Sequence, residues 1–518
     1  MNKLTLGQLR PTFAILLLVI FSVASLFLWQ SHKGLNLADE GYLWYGAQRV
    51  TMGEVPIRDF MAYDIGRYYW SAAFMSILGD TGIVTLRIGI AVFQASALFI
   101  GLALLTRNSA KPSLAFCLLA AITLIVWMFP QYRIFDISLP IILIGALTFL
   151  IQQPTIHRYF LTGFIVGLAA VFGRNHGMYG VIGCLCVIYY LNTKCMSRPP
   201  PFVASVAWIS GLVIGYLPVM VFIVVVPGFA LAFGESVRLL FEIKTTNYPL
   251  PVPWPWLAPF GKAPIIIAIR SVLEGVFFIA IAFFGLVGIA WVILKKIQDK
   301  SDSPMLIASI CMALPYAHYA YSRADIEHLA PGIPPFLLGT LALLANQPAK
   351  IKWPFAALIC GASLLLMLPA HPGWLCYLQP CVELNVAGDN LKIDRGTAGN
   401  LITLNTLAEQ FAPKGQTFIA APFWPGAYAA LGRKSPVWEI YMLFPRNTLF
   451  QNAEIERIKA AKPGFAVILD FPLDGREELR FRSTHPIIDQ YIRNNFIHLE
   501  ESSKNPMFQI YRGLQNNP

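Results

Sequence analysis

Acidic side chains are concentrated between Leu37 and Arg87, directly after the first hydrophobic segment of the chain. Asp39 and Glu40 are adjacent at the start of this stretch, and Asp64 lies in its middle. Charged groups beside a bilayer are costly unless they are solvated or paired, so this stretch is a candidate site. A carboxylate within reach of a hydroxyl can remove its proton, and we predict that Asp39 is such a catalytic base, with Glu40 as the second choice. Asp also caps helices well, which is the structural alternative for Asp39.

Arginines recur in short polar turns between hydrophobic segments: QYRIFD holds Arg133, GRNHG holds Arg174 and YSRADIEH holds Arg323. Guanidinium groups bind phosphate through two parallel hydrogen bonds, so arginines on such turns are candidates to hold a phosphorylated substrate. The alternative is that they extend toward lipid head groups. The residues that we predict to bind substrate or phosphate are Asp64, Arg67, Arg133, Arg174, His176 and Arg323.

Two of these turns also carry acidic groups. Asp136 follows Arg133 by three residues, and we predict that it is a third catalytic residue, positioning an acceptor or a divalent cation; a local ion pair is the alternative. Asp325, Glu327 and His328 are residue types that bind metals, but adjacent Glu and His on a turn are a weak ligand signal, and an ion-pair cluster is the alternative. No cofactor is certain, and Mg²⁺ or Mn²⁺ is a possible one.

The composition indicates a membrane protein that crosses the bilayer many times. The 518 residues are 56% hydrophobic and 13% charged, with a mean hydropathy of +0.58. The net charge of +11 is scattered over the ends of hydrophobic segments and is not gathered on one face. A protein that binds nucleic acid gathers its basic residues on one surface, so this scattered distribution excludes nucleic acid as a partner. The predicted partners are membrane lipids.

About eleven segments are predicted to span the membrane, each approaching the roughly 20 residues that a bilayer core requires. Within the first outward loop, Tyr42–Val50 and Tyr68–Leu78 are aromatic and apolar but too short to cross, so we predict two surface helices. The predicted spans are about 12–29, 82–105, 113–130, 137–152, 159–173, 178–192, 203–226, 270–294, 304–320, 328–345 and 353–369.

Basic residues in alternate connections, such as Lys295 with Lys296 and Lys350 with Lys352, predict which side faces the cytoplasm. The N-terminus is then inside, and all candidate site residues face outward. The loop Pro249–Trp256 is on the same side, and its indole rings favour anchoring at the membrane interface or stacking on sugars.

After Leu368 the hydrophobic runs shorten and helix-like and strand-like pieces alternate, which predicts a small α/β domain with a partly parallel sheet. We therefore expect a transmembrane module at 1–369 and an extracytoplasmic domain at 370–518. Cys376 and Cys381 form a disulfide if that side is oxidising, and the sequence leaves this open.

Most of the first 230 residues resemble the GT-C superfamily of integral-membrane glycosyltransferases, which use polyprenyl-phosphate-linked sugars. The resemblance is carried by the D-E-G-Y motif at Asp39–Tyr42, by G-x-V-P-x-x-D-F at Gly53–Phe60, by the aromatic helix Tyr68–Gly79 and by Arg87. The chain is similar to the protein mannosyltransferase and aminoarabinose transferase group, but it departs from that group at Tyr63–Arg67, where many relatives have Lys-Pro-Pro.

The resemblance implies two surface helices in the first outward loop and a catalytic base at Asp39. It also implies an inverting transfer of a hexosyl or pentosyl group from a polyprenyl-phosphate sugar to a hydroxyl of a glycan, lipid or protein, outside the bacterial cytoplasmic membrane. One alternative is a transporter or flippase for lipid-linked saccharides, which predicts polar residues inside the spans and broken helices. Another is a glycan polymerase or ligase, in which Glu235–Trp256 would matter more than Asp39.

Overall fold

The computed structural model describes residues 6–109, 113–194, 198–244, 247–298, 300, 302–499 and 508–514. Its first fifteen helices are α1 Leu6–Gln30, α2 Asp39–Thr51, α3 Gly66–Leu78, α4 Ile83–Asn108, α5 Leu114–Trp127, α6 Ile134–Gln152, α7 Ile156–Phe172, α8 Arg174–Lys194, α9 Pro201–Val225, α10 Phe229–Ile243, α11 Ile265–Ile297, α12 Pro304–Ser322, α13 Ile326–Gly332, α14 Pro334–Ala345 and α15 Ala349–Met367.

The remaining helices and all described strands follow α15. The helices are α16 Pro372–Leu378, α17 Arg395–Phe411, α18 Pro425–Ala430, α19 Thr448–Ala461, α20 Phe481–Thr484 and α21 Pro486–Asn495. The strands are β1 Cys381–Val386, β2 Asp389–Asp394, β3 Ile419–Ala421, β4 Phe465–Leu469, β5 Phe496–His498 and β6 Phe508–Gly513.

Every predicted span coincides with a helix or, in one case, with a pair of helices. Of the described helices, six are long and apolar enough to cross a membrane, and α5 and α7 are shorter apolar helices. The predicted span 328–345 is a bent pair, because α13 and α14 meet at an angle of 51°. Pro331, Pro334 and Pro335 lie at this bend, and proline removes the backbone donor that a continuous helix needs. The chain is a polytopic helical membrane protein, as predicted.

Glycines allow two of the apolar helices to pack at backbone contact. In α7, a Cβ atom on Gly163 would overlap the carbonyl oxygen of Trp208, and in α9 a Cβ on Gly211 would overlap that of Phe160. Such small-residue contacts are the usual way in which helices associate in lipid, where apolar burial alone gives no preference. Substitution of either glycine by a larger residue would separate the two helices.

By internal contacts the chain divides into two compact units, and neither is continuous in sequence. The first contains Met1–Trp29, Ile90–Ala230 and Lys244–Leu375, and the second contains Gln30–Gly89, Leu231–Ile243 and Cys376–Pro518. The segment 30–89, which contains the loop predicted to face outward, thus groups with the C-terminal region. The predicted division into functional domains at residue 370 stays a prediction.

Within the second unit, the C-terminal region has the α/β organisation that the alternating pattern predicts. Its sheet has the order β3-β4-β6-β5, with β3 parallel to β4 and the other pairs antiparallel. Ile458, Ile468 and Ile488 are among the residues that fill its core. The hairpin of β1 and β2 was not predicted, and the disulfide between Cys376 and Cys381 is formed beside it.

Backbone contacts join the first outward loop to the C-terminal region inside this unit. The amide of Gly426 donates to the carbonyl of Leu37 at 2.9 Å, and the amide of Met61 donates to that of Trp438 at 2.9 Å. A Cβ on Gly41 would collide with the backbone of Gly426. These bonds fix α2 and the start of the loop against residues almost 400 positions later in the chain.

Candidate active site

The carboxylate of Asp39 does not cap α2, because Asp39 is the first residue of the helix and Ala38 occupies the N-cap position. The side chain of Asn36 accepts hydrogen bonds from the amides of Ala38 and Asp39, at 2.9 and 3.0 Å. The interpretation of Asp39 as the cap is therefore wrong, since no side-chain cap bond comes from it. Asp39 is half-buried and accepts a hydrogen bond from the hydroxyl of Tyr441 at 3.1 Å.

Glu40, the neighbour of Asp39, is held in a buried ion pair. Nε and Nη2 of Arg87 each donate to one of its carboxylate oxygens at 2.8 Å. The two side chains are only 2% and 5% exposed, and Arg87 also donates to the carbonyls of Ser31 and Gly34. This arrangement makes Glu40 an anchor that ties the loop to the beginning of α4. A catalytic part for Glu40 stays a prediction, and it would require the loss of this pair.

Aromatic rings surround the start of α2. The ring of Tyr42 lies 5.5 Å from those of Tyr63 and Tyr441 and 6.2 Å from that of Tyr68. The hydroxyl groups of Tyr42 and Tyr68 are buried and interact with each other. Burial raises the pKa of both phenols well above the usual value, so both are neutral hydroxyls.

Asp64 and Arg67 belong to the same region. Asp64 is buried, and Arg67 is half-buried at the beginning of α3. The positive charge of Arg67 partly offsets the effect of burial, because it lowers the pKa of the phenols of Tyr42 and Tyr68. The carboxylate of Asp64 raises the pKa of Tyr68. The second unit therefore brings three predicted site residues, Asp39, Asp64 and Arg67, to one tyrosine-rich cluster.

The first unit contains a second cluster, centred on Arg133. Its Nη1 donates to the hydroxyl of Tyr319 and its Nη2 to Nε2 of His328, both at 3.3 Å. Its Nε lies 3.9 Å from Glu327, which also accepts a hydrogen bond from Tyr132 at 2.6 Å. The sequence placed Arg133 and His328 on separate turns, and the fold brings them into contact.

Asp325 links this cluster to Arg323. Its carboxylate accepts from Nε of Arg323 at 2.8 Å, and from the amide and Nδ1 of His328 at 2.9 and 2.7 Å. Burial raises the pKa of Asp325, but the hydrogen bonds from His328 and the charge of Arg133 outweigh it and lower the pKa to about 2. The contacts fix the neutral tautomer of His328 that donates through Nδ1 and accepts at Nε2.

Asp136 and His176 form a buried chain with Tyr316. Nε2 of His176 lies 2.9 Å from Asp136, and its Nδ1 lies 2.8 Å from the hydroxyl of Tyr316. His176 is completely buried, and its ring stacks on that of Tyr319 at 5.8 Å. These three hydrogen-bonded residues therefore contact the Arg133 cluster through Tyr319. A phosphate contact by His176 stays a prediction, and both of its ring nitrogens already have partners. Arg174 is half-buried at the first position of α8.

Two charged residues of α11 were not predicted as site residues. Nη2 of Arg270 donates to the carbonyl of Leu366 at 3.1 Å, and its Nε is buried with no hydrogen-bond partner. Glu274 follows one turn later and interacts electrostatically with Arg270 and Asp325. Charged side chains four residues apart inside an apolar segment are a signal that the sequence did contain.

Among the residues that the structure describes, no group of three or more His, Cys, Asp or Glu side chains is arranged to hold a metal ion. Asp325, Glu327 and His328 instead contact Arg323, Tyr132 and Arg133 as described above. Dependence on Mg²⁺ or Mn²⁺ stays a prediction.

No family model matches the sequence, and no curated protein sequence matches it. Solved structures do match. ArnT from Cupriavidus metallidurans bound to undecaprenyl phosphate has a TM-score of 0.52 at 13% identity, covering 97% of this chain and 99% of that one. ArnT in the apo state gives 0.48 at 12% identity, covering 97% and 98%. The apo oligosaccharyltransferase of Archaeoglobus fulgidus gives 0.46 at 12% identity, covering 98% and 75%.

The first of these matches spans both chains almost completely, so the likeness extends over the whole fold. The chain therefore has the fold of the GT-C membrane glycosyltransferases.

Proposed function

We propose that the protein is a glycosyltransferase that moves a sugar from a polyprenyl-phosphate carrier to a hydroxyl group, with Asp39 as the base. The observation that carries this proposal is the contrast between two adjacent carboxylates. Glu40 is neutralised by Arg87, whereas among the described residues no basic side chain pairs with Asp39. A half-buried carboxylate with a single hydroxyl partner is free to accept a proton from a substrate.

The proposed reaction is a single displacement. The acceptor oxygen attacks the anomeric carbon, the bond between that carbon and the phosphate oxygen breaks, and the hydroxyl proton passes to Asp39. The electron pair of the broken bond stays on the polyprenyl phosphate, which leaves as the dianion. Attack opposite to the leaving group inverts the anomeric configuration.

The leaving phosphate requires cations, and the Arg133 cluster can supply them. Arg133 and Arg323 are held by Tyr319, His328 and Asp325, which fixes their guanidinium groups before a substrate arrives. Such preorganised charge stabilises a developing phosphate without reorganisation during the reaction. We propose that Arg133 and Arg323 contact the phosphate, with Arg174 and Arg67 as further candidates.

The proposed location is the outer side of the bacterial cytoplasmic membrane, with the C-terminal region outside. The distribution of Lys and Arg supports it. The disulfide between Cys376 and Cys381 also supports it, because disulfides persist in oxidising compartments and are rare in the cytosol.

The proposal is tested with the purified protein in lipid nanodiscs, supplied with a polyprenyl-phosphate sugar and a cell-envelope extract as the source of acceptor. Mass spectrometry of the envelope glycans, with and without the protein, identifies the transferred residue. Appearance of one additional sugar together with free polyprenyl phosphate supports the proposal. An unchanged glycan profile with intact donor contradicts it.

A second candidate function is a transporter of lipid-linked saccharides. Arg270 and Glu274 inside α11 and the bend between α13 and α14 are features that transporters use. This candidate predicts movement of the intact lipid-linked sugar across a proteoliposome membrane without release of polyprenyl phosphate, so the same reconstituted protein separates the two functions.

A further inference from the structure

Residues of the C-terminal region contact the proposed base. The hydroxyl of Tyr441 donates to Oδ1 of Asp39 at 3.1 Å across a separation of 402 residues. Resting on the function proposed above, we propose that the C-terminal region completes the acceptor site and that the acceptor is a carbohydrate. Tyr441 is then a positioning residue that orients the carboxylate of Asp39, and its ring forms part of the surface on which the acceptor sugar lies.

The aromatic rings form a continuous row that passes beside Asp39. Tyr63 lies 5.5 Å from Tyr42, which lies 5.5 Å from Tyr441. Tyr441 lies 5.6 Å from Phe423, and Phe423 lies 5.7 Å from Phe471. Tyr63 is 40% exposed, and Tyr441 and Phe471 are half-buried, so the row is accessible at several points along its length.

The segment that carries Tyr441 is held in place by its neighbours. The amide of Met442 donates to the carbonyl of Pro422 at 2.8 Å, and the amide of Trp438 donates to the buried carboxylate of Glu454 at 2.8 Å. The carbonyl of Trp438 accepts from Met61 in the first loop. The position of the Tyr441 ring is therefore set by the fold on both sides, as a preorganised site requires.

The chemistry of this row fits a sugar. Aromatic rings with polar edges provide apolar faces for the C–H groups of a pyranose and hydroxyls for its polar groups. Tyr42 and Tyr68 add two buried hydroxyls, which interact with each other, to the same cluster.

Other acceptors fit this surface less well. An acyl chain would bring no polar group to the carboxylate of Asp39 or to the tyrosine hydroxyls. An extended peptide is commonly bound through backbone hydrogen bonds at the edge of a sheet. Tyr63, Phe423, Tyr441 and Phe471 all lie outside the strands.

The test is saturation-transfer difference NMR on the full-length protein in nanodiscs. The probes are methyl glycosides of glucose, galactose, mannose and xylose, a serine-containing hexapeptide, and glycerol phosphate as a lipid head group. We expect saturation of the ring protons of at least one glycoside. Tyr441→Ala and Tyr63→Ala are each expected to weaken glycoside binding at least tenfold, whereas Tyr377→Ala, a change at an 81% exposed tyrosine of the same unit, is expected to leave it unchanged.

Tyr441→Phe separates the two roles of this residue. It keeps the ring and removes the hydrogen bond to Asp39, so we expect glycoside binding and the acceptor KM to stay within about twofold of the wild type while kcat falls at least tenfold. A purely structural role would alter binding and catalysis together. Because Tyr63 is exposed, its variant keeps the inference testable if Tyr441→Ala does not fold.

Binding of the peptide or glycerol phosphate but of no glycoside would overturn the inference. Folded Tyr441→Ala and Tyr63→Ala proteins with unchanged glycoside signals would overturn it as well. Failure of the proposed base is distinguishable from this: an active Asp39→Asn enzyme whose glycoside binding still depends on Tyr441 would reject Asp39 as the base and retain the carbohydrate site.

Discussion

Arg87 binds both carboxylate oxygens of Glu40 at 2.8 Å, although 47 residues separate the two in sequence. The pair is buried and closes the first outward loop at its two ends. Of the two adjacent acidic residues, Glu40 is thereby part of a structural ion pair, and Asp39 is the one that we propose as the base.

Loss of one partner of this pair is expected to destabilise the protein strongly. Arg87→Ala leaves the carboxylate of Glu40 buried without its cation, and such a change costs about 3–5 kcal/mol. Thermal unfolding in detergent measures the effect. The matched control is Arg238→Ala, which removes an arginine from a surface ion pair whose Arg side chain is 73% exposed and should change the stability by less than about 1 kcal/mol. Equal unfolding temperatures for the two variants would contradict the anchoring role.

Arg133 is expected to contribute to donor binding through its two-pronged geometry. Arg133→Lys keeps the charge but loses the planar fork, and we expect kcat/KM for the polyprenyl-phosphate sugar to fall at least tenfold. Charged hydrogen bonds of about 1.5–3 kcal/mol account for a loss of this size. Steady-state kinetics measure it, with Arg238→Lys as the control. A lysine variant as active as the wild type would argue against a phosphate contact at this position.

Asp325 is expected to make the stability of the first unit sensitive to acid. Its pKa is about 2 in the folded protein against an ordinary value of 3.8, a difference equivalent to about 2 kcal/mol. A lowered pKa contributes stability above pH 4, and this contribution is lost as the pH falls from about 4 to 2. We expect Asp325→Asn to unfold at a lower temperature than the wild type at pH 7 and the difference to shrink at pH 3.

The exposed residue Glu409 provides the comparison for this measurement. Glu409→Gln should follow the wild-type pH profile throughout. An Asp325→Asn protein with the same pH profile as the wild type would show that the bonds of Asp325 to His328 and Arg323 do not contribute to stability.

Chemical labelling of the two disulfide cysteines tests which side of the membrane the C-terminal region occupies. In spheroplasts treated with a reductant, a membrane-impermeant maleimide is expected to label Cys376 and Cys381, while Cys184, which is buried in α8, stays unlabelled. Without reductant the pair should resist labelling. Labelling of the pair only after the membrane is permeabilised would reverse the proposed topology.

The helical part of the fold could be predicted because hydrophobic length is a local property. The predicted surface helices Tyr42–Val50 and Tyr68–Leu78 lie within α2 and α3, which have 13 residues each. The α/β organisation of the C-terminal region was also predicted, because strand-like and helix-like segments alternate there, and β3, β4 and β6 belong to its sheet. The hairpin of β1 and β2 was missed, since its strands contain several polar residues and are largely exposed.

The contacts of the candidate site could be predicted only in part, because most depend on tertiary packing. The pairing of Glu40 with Arg87 and the contact of Asp39 with Tyr441 join residues 47 and 402 positions apart, and no local pattern encodes such distances. Asp39 does not cap α2, because the helix already begins at Asp39 and the side chain of Asn36 accepts from the amides of Ala38 and Asp39. Arg270 and Glu274 could have been predicted as site residues, since two charged residues four positions apart inside an apolar segment are visible in the sequence.

The most direct test of the proposed mechanism is the rate of sugar transfer by Asp39→Asn, measured beside Glu235→Gln, a change at an exposed position of α10. Both substitutions remove one carboxylate without changing its size, and both proteins are first compared with the wild type by thermal unfolding. General-base catalysis typically contributes 10²–10⁴-fold, so we expect kcat to fall at least about 100-fold in Asp39→Asn and to be unchanged in Glu235→Gln. Wild-type kcat in a folded Asp39→Asn protein, or a loss confined to Glu235→Gln, would contradict the assignment of Asp39 as the base.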